Sequence, residues 1–207
     1  MTRRIPARVA VLAIIALSPA GSAAAPIPAV QAPAAASLTV ADFDSGRKPN
    51  NIGGDFGCWI KDPNDPMQGC LESFDGGNGY GGKGNALRLI YSVASDKPAY
   101  GGLWMRLGNF NATAFDSLAF RVKGDAKLGF TTVFKVELKD DADRISHVCV
   151  RGVSDRWQDI VIPLKDFQGD ADAARLKEFV IVFEVRIATA KQGMIYLDEI
   201  RFTRAPH

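Results

Sequence analysis

Residues suited to catalysis are scarce in this chain. It has only two histidines, His147 and His207, and the second is the last residue. Neither a G-x-S-x-G nor an H-E-x-x-H motif occurs, and no group of Cys, His and Asp has the spacing of a catalytic metal site. Two acids that meet only in the folded chain would still be compatible with hydrolysis of a glycosidic bond. The sequence therefore predicts a protein that is not an enzyme.

Long apolar runs are also lacking, except for a short one near the start. Residues 9–17 are apolar, follow Arg3, Arg4 and Arg8, and precede the small residues Ser22 to Ala25. This order predicts a signal peptide over 1–24, and the apolar run is too short to span a membrane. An Ala/Pro-rich spacer then covers 25–37, and one domain covers 38–207. We therefore expect export to the periplasm or the medium.

The net charge is close to zero once the predicted signal peptide is removed. Residues 1–24 hold three of the 25 basic residues and none of the 23 acidic ones, which leaves 22 basic against 23 acidic residues. A nearly neutral domain gives no reason to expect a nucleic acid or an anionic membrane as partner.

Cysteine is rare, at three residues. Cys58 and Cys70 flank a loop rich in Gly, Pro and Asp, and in an oxidising compartment they could close it as a disulfide. Cys149 lies in a strand-like segment and is expected to be a free thiol. The alternative is that all three cysteines are unpaired.

Helical periodicity is weak, and alternation of apolar with polar residues dominates. Only residues 171–177 suggest a turn or two of helix. The pattern predicts strands over 86–91, 102–107, 117–123, 131–139, 147–151, 158–162, 179–187 and 194–202. Eight or nine short strands separated by turns predict an all-β protein, a β-sandwich or jelly roll.

The alternation also assigns side chains to the two faces of each strand. Leu103, Met105 and Leu107 are expected to point inward, which leaves Trp104 and Arg106 outward. The same parity turns the following apolar residues inward: Leu118, Phe120, Val122, Phe134, Val136, Leu138, Phe179, Ile181, Phe183, Val185 and Ile187. It turns Lys135, Glu137 and Glu184 outward.

Asp198 is unusual because it interrupts a run of β-forming residues. An acid there lowers strand propensity and, if buried, loses its hydration. Asp44 belongs to the first strand-like segment, residues 41–45. A bound cation that joins this segment to the last strand would explain the position of Asp198. The alternative is that Asp44 ends a strand and Asp198 pairs with an arginine.

Four motifs carry a family resemblance. They are FDSLAFRVKGD (115–125), FKVELKDD (134–141), WQDIVIPLKDFQG (157–169) and GMIYLDEIRF (193–202). They resemble galactose-binding-like jelly rolls, most of all the family 11 carbohydrate-binding modules and the related domain of complex I intermediate-associated protein 30. The resemblance covers nearly all of 38–202, but it assigns no role to residues 50–70.

The resemblance implies an exported, non-catalytic domain that binds a polysaccharide or glycan. It also implies a structural calcium ion held by Asp44 and Asp198, with carbonyl oxygens near Gly82 to Gly84. Sugar rings stack on exposed aromatic side chains, and charged side chains bind their hydroxyls. The expected ligand-binding residues are Trp104, Arg106, Lys135, Glu137, His147 and Arg151, with Trp59 and Tyr100 in loops beside the cleft.

Two other functions fit the same fold. One is a protein-interaction scaffold that uses the same face, and the other is a polysaccharide lyase or hydrolase. A loop covering Trp104 would leave the charges as a solvated surface. Trp157 is interpreted as a packing residue, and the glycine-rich run 76–84 as a flexible loop, since it lacks the Lys-Ser/Thr end of a phosphate loop.

Overall fold

The structure, a computed structural model, describes residues 37–204. The predicted signal peptide and most of the predicted spacer lie outside the described residues. The strands are β1 (Ser37–Ala41), β2 (Phe56–Ile60), β3 (Gln68–Gly76), β4 (Asn85–Val93), β5 (Tyr100–Phe110), β6 (Ser117–Gly124), β7 (Val133–Asp140), β8 (Ile145–Arg151), β9 (Gln158–Pro163), β10 (Gln168–Gly169), β11 (Leu176–Glu184) and β12 (Gln192–Thr203). Within 37–204 no helix is long and apolar enough to cross a membrane.

The strands form two antiparallel six-stranded sheets. Sheet 1 has the order β3-β4-β12-β6-β9, and β1 pairs with the end of β12. Sheet 2 has the order β10-β8-β7-β11-β5-β2. The all-β prediction and the β-sandwich of the jelly-roll class are confirmed.

The core lies between the sheets and consists of the side chains that the period-two pattern turns inward. Leu103, Met105, Phe120, Phe134 and Phe179 are completely or almost completely buried. Because one face of each strand fills this core, the other face points to solvent. The outer face of each sheet is therefore free to carry polar and aromatic side chains.

A β-bulge in β12 explains how Asp198 fits into a strand. Asp198 pairs with Arg121 of β6, but Arg201 already pairs with Ala119, so β12 holds one extra residue there. Glu199 has a φ of 46°. An extra residue reverses the parity, so Leu197 before the bulge and Ile200 after it both face the core.

Several strand boundaries differ from those expected from the sequence. The first strand ends at Ala41, because residues 42–45 turn: the amide of Asp44 donates to Oδ1 of Asp42 at 3.2 Å. Strand β11 starts at Leu176 and ends at Glu184, where the carbonyl of Glu184 accepts from the amides of Ile187 and Ala188. The expected strand positions at 185 and 187 are therefore wrong, although Val185 still packs against the core. The expected helix at 171–177 is only a 3-10 turn, Ala173–Arg175.

Residues 50–70 contain β2 and the start of β3, and the apolar pattern of the sequence predicts neither strand. The side chains of β3 that face the core side include Gln68, Cys70 and Glu72, so the inward row lacks an apolar pattern. Glu72 is held there because Oε2 accepts from the amide of Cys58 at 2.9 Å and Oε1 accepts from Nζ of Lys48 at 3.1 Å. The disulfide Cys58–Cys70 joins the two strands, and Cys149 is free.

Candidate functional site

The outer face of sheet 2 carries a groove whose floor is the central strand β11. Its outward residues are Glu178, Val180, Val182 and Glu184. Both valines are almost fully buried although they point away from the core, which means that neighbouring side chains cover them. The floor is therefore apolar in the middle and acidic at each end.

Aromatic side chains form the wall of the groove on the side of β5 and β2. Trp104 is the neighbour of Val180 on one side and of Gly57 on the other. Its indole extends over Gly57, since a β-carbon at residue 57 would lie 3.3 Å from Cζ2 and 3.4 Å from Nε1. Trp59 on β2 contacts Tyr100 edge-on, with 5.7 Å between the ring centroids.

Basic and acidic side chains alternate along the groove and pair with one another. Nη1 of Arg106 lies 3.4 Å from Oε1 of Glu178, and Nζ of Lys139 lies 4.0 Å from Oε2 of the same residue. Nζ of Lys135 lies 3.5 Å from Glu137 and 3.3 Å from Glu184. Three cations thus face three carboxylates, and the groove has no net charge. Its polar atoms can bind hydroxyl groups as both donors and acceptors.

The groove consists of three adjoining cavities. A cavity of about 290 Å³ lies between Trp59, Trp104, Arg106 and Lys139. A second of about 420 Å³ continues from Trp59 and Lys139 to Tyr100 and Glu184. A third of about 420 Å³ extends from Arg106 past Gly108 to Lys177. Together they follow most of the length of β5 and suit an extended ligand better than a compact one.

Six of the eight ligand-binding residues expected from the sequence line this groove: Trp59, Tyr100, Trp104, Arg106, Lys135 and Glu137. Trp59 and Tyr100 lie in strands, not in the expected loops. His147 and Arg151 lie on β8 of the same sheet, but neither lines the three cavities.

Lys139, Glu178, Val180 and Val182 also line the groove, although they are not among the residues expected there from the sequence. Parity alone turns all four outward. The missing information was the order of the strands, which puts β11 between β5 and β7. That order makes β11 the floor, and no local pattern in the sequence encodes it.

Asp198 lies on the outer side of sheet 1, beneath the glycine-rich loop 76–84. Its Oδ2 accepts from the amide of Tyr80 at 2.6 Å, and its Oδ1 accepts from the amide of Glu199 at 2.7 Å. Burial raises the pKa of Asp198, and the charge of Asp44 adds to this rise, whereas the two amides oppose it. The charge of Glu199 raises this pKa as well, so the buried Asp198 lies near two other carboxylates, of which Asp44 is exposed.

The residues around Asp198 supply only part of the oxygen ligands that a calcium ion needs. Within residues 37–204, neither Asp44 nor Asp198 forms an ion pair, so the pairing of Asp198 with an arginine is not found. Asp44 lies against the backbone of Gly84, because a β-carbon at residue 84 would fall 1.7 Å from its Oδ1. No group of three or more Asp, Glu, His or Cys side chains that could hold a metal ion occurs in the described part of the chain. Calcium would therefore need carbonyl oxygens as further ligands, which it accepts readily.

Trp157 lies on the outer face of sheet 1 and not in the core between the sheets. It packs on a small cluster of Ala86, Met194 and Tyr196. Nζ of Lys123 lies 4.9 Å from the centroid of Trp157 and 4.6 Å from that of Tyr196. The edge of this cluster is Tyr80, whose ring is 6.2 Å from that of Trp157. Trp157 is a packing residue, as expected, but of a satellite cluster.

Several solved structures have a similar fold. No protein-family model matches the chain, and no curated protein does either. Among solved structures, the chain is similar to the family 11 carbohydrate-binding module of a cellulosomal cellulase of Clostridium thermocellum, with a TM-score of 0.61, 15% identity, and coverage of 83% of this chain and 96% of the module.

Two further structures support the same fold. The Clostridium thermocellum family 11 module in complex with a β-1,3-1,4-mixed-linked tetrasaccharide has a TM-score of 0.61 and 15% identity over 82% of this chain and 96% of the module. An exo-β-agarase has a TM-score of 0.61 and 14% identity over 82% of this chain, which matches 25% of that enzyme. The predicted jelly roll resembling family 11 modules is confirmed as a fold. The resemblance to the complex I intermediate-associated protein 30 domain stays a prediction.

Proposed function

We propose that this protein is an exported, non-catalytic module that binds a neutral, extended polysaccharide in the groove of sheet 2. The observation that carries the proposal is an aromatic wall, Trp59, Tyr100 and Trp104, beside an apolar floor with paired charges. Sugar rings present apolar faces and polar edges, and this combination suits both. The disulfide Cys58–Cys70 fits an oxidising compartment outside the cytoplasm.

The charges favour a neutral ligand over an anionic one. Arg106, Lys135 and Lys139 each have a carboxylate partner within the groove. An anionic polymer would have to compete with those carboxylates and would be repelled by them. The fold neighbour that was solved with a β-1,3-1,4-mixed-linked tetrasaccharide supports a β-glucan as the first ligand to test. A protein partner would be served better by a flatter apolar patch than by this groove.

The test measures binding to soluble β-1,3-1,4-glucan by isothermal titration calorimetry. We expect Trp104→Ala to weaken binding at least about tenfold, which is about 1.4 kcal/mol. Trp157→Ala is the matched control, because it removes the same side chain from the opposite face. The proposal fails if the wild type binds no neutral polysaccharide, or if both variants weaken binding equally.

We also propose that calcium binds at Asp44 and Asp198 and stabilises the fold without contacting the ligand. The two carboxylates and loop carbonyls near Gly84 would be its oxygen ligands. The raised pKa of Asp198 supports this idea, because a cation would relieve the unfavourable ionised state. The folded protein holds the proton of Asp198 more tightly than the unfolded chain does. Without calcium, the stability contributed by this residue is therefore present at low pH and lost as the pH rises through its raised pKa.

Thermal unfolding with calcium and with a chelator tests the ion. At one hundred times its dissociation constant, calcium should add about 2.7 kcal/mol to the free energy of unfolding at pH 7. Asp44→Asn should remove this response, yet it should leave the calcium-free protein at least as stable as the wild type, since it removes a like charge beside Asp198. An equal response to magnesium, or an unchanged calcium response in the variant, would contradict the site.

A further inference from the structure

The disulfide Cys58–Cys70 connects the edges of the two sheets. Cys58 lies in β2, the edge strand of sheet 2, and Cys70 lies in β3, the edge strand of sheet 1. Their Cα atoms are 5.5 Å apart. The bond therefore closes one open side of the sandwich, on the side where the groove has its aromatic wall.

The neighbours of Cys58 in the sequence both belong to that wall. Gly57 lies under the indole of Trp104, and Trp59 lines two of the three cavities. Because alternate residues of a strand point to opposite faces, Cys58 points inward when its two neighbours point toward the groove. The disulfide therefore fixes Cys58, which lies between Gly57 and Trp59, the two residues of β2 at the groove.

Strand β2 has few other attachments. It is five residues long and pairs with a single strand, β5, through residues Phe56 to Ile60. Phe56 anchors its start in the core, and the amide of Cys58 donates to Glu72. A short edge strand with one partner opens locally more readily than a central strand does. Its position depends on the covalent bond to β3 more than that of any strand paired on both sides.

We propose that the Cys58–Cys70 disulfide is a positioning element of the groove, so that its reduction weakens glycan binding while the sandwich stays folded. This inference rests on the proposed function. In the reduction, a dithiol reductant transfers two electrons and two protons: the S–S bond breaks, Cys58 and Cys70 each become a thiol, and the reductant becomes a disulfide. Trp59 and the strand under Trp104 then lose their fixed position, and binding must supply the cost of ordering them again.

The experiment compares oxidised protein, protein reduced with dithiothreitol, and the double variant Cys58→Ser/Cys70→Ser, all in a Cys149→Ser background. Binding of soluble β-1,3-1,4-glucan is measured by calorimetry at a temperature where every form is folded. Hydrogen exchange reports on the amides of β2 and, for comparison, of β6. Val122→Ala, a core substitution on β6, serves as a destabilised control that keeps the disulfide.

We expect the reduced protein and the double variant to bind about tenfold more weakly, with faster exchange in β2 and unchanged exchange in β6. Val122→Ala should bind as the wild type does, although it unfolds at a lower temperature. Equal binding by oxidised and reduced protein would overturn the inference while leaving the proposed function intact. If the oxidised protein binds no glycan, the proposed function fails; unchanged exchange in β2 after reduction would then overturn the positioning role as well.

Discussion

The two outer faces of the sandwich both carry a tryptophan among basic side chains, but they use the cations differently. On sheet 1, the guanidinium of Arg121 lies 4.0 Å from the ring centroid of Tyr80, and Lys123 lies between the rings of Trp157 and Tyr196. On sheet 2, Arg106 is 5.5 Å from the centroid of Trp104, and it pairs with Glu178.

The rings of sheet 1 pack against one another and against cations, whereas the rings of sheet 2 line an open groove. Where cations cover the ring faces, the rings and cations satisfy one another and stabilise the sheet. The contrast is clearest for the lysines: Lys123 lies over two rings and forms no ion pair within residues 37–204, whereas Lys135 and Lys139 of the groove are bound by carboxylates and cover no ring there. Arginines contact rings and carboxylates on both faces, and Lys61 lies 5.3 Å from the centroid of Tyr100. The presence of a tryptophan on an outer face therefore does not decide its role; the side chains that surround its ring do.

The largest effect expected from this difference is on stability. Trp157→Ala removes a ring that packs on Met194, Tyr196 and Lys123, and it should lower the free energy of unfolding by about 2 kcal/mol. Trp104→Ala should cost about 1 kcal/mol or less, because the indole of Trp104 lies over Gly57, which has no side chain to pack against it. Urea denaturation of both variants measures the difference. A larger loss for Trp104→Ala would reverse the assignment of the two faces.

A smaller effect concerns the charge of the ligand. Glu178 is the only ion-pair partner found for Arg106 and for Lys139 within residues 37–204. Glu178→Gln should therefore leave two uncompensated cations in the groove and raise affinity for an anionic polysaccharide such as carboxymethylcellulose about fivefold at low salt. Affinity electrophoresis measures this gain.

The matched control for that gain is Glu199→Gln on sheet 1. Glu199 also lies between two basic side chains, at 3.2 Å from Arg121 and 3.4 Å from Arg201. This variant should gain no affinity for carboxymethylcellulose, because its cations keep Asp159 as a partner. A gain in both variants would mean that surface charge alone attracts the polymer.

Much of the fold could be predicted from the sequence, because period-two alternation follows from burial of one strand face. The inward positions of β5, β6 and β7 follow directly from it, and so does the outward position of Trp104. Strand β3 was not predicted because the polar Glu72 occupies an inward position, where it accepts hydrogen bonds from the amide of Cys58 and the amine of Lys48. A long-range partner of this kind leaves no local signal.

The site could be predicted only in part, for a related reason. Parity distinguishes outward from inward residues, but it does not say which strands are neighbours. Glu178 and Arg106 are 72 positions apart in the chain, and only the placement of β11 beside β5 makes them a pair. The bulge at Asp198 is a second example: both Leu197 and Ile200 face the core because of one extra residue, which the apolar pattern alone does not locate.

The smallest expected effect comes from uncovering the rings of sheet 1. Lys123→Met removes the ammonium between Trp157 and Tyr196 but keeps an apolar side chain in contact with both rings, so it should lower the free energy of unfolding by only about 0.5 to 1 kcal/mol. Lys127→Met, at an exposed position, is the control and should change stability less. Binding of β-1,3-1,4-glucan should stay unchanged in both variants, because neither Lys123 nor Lys127 lines the three cavities of the groove. A new glucan-binding site in Lys123→Met would show instead that uncovered ring faces are sufficient.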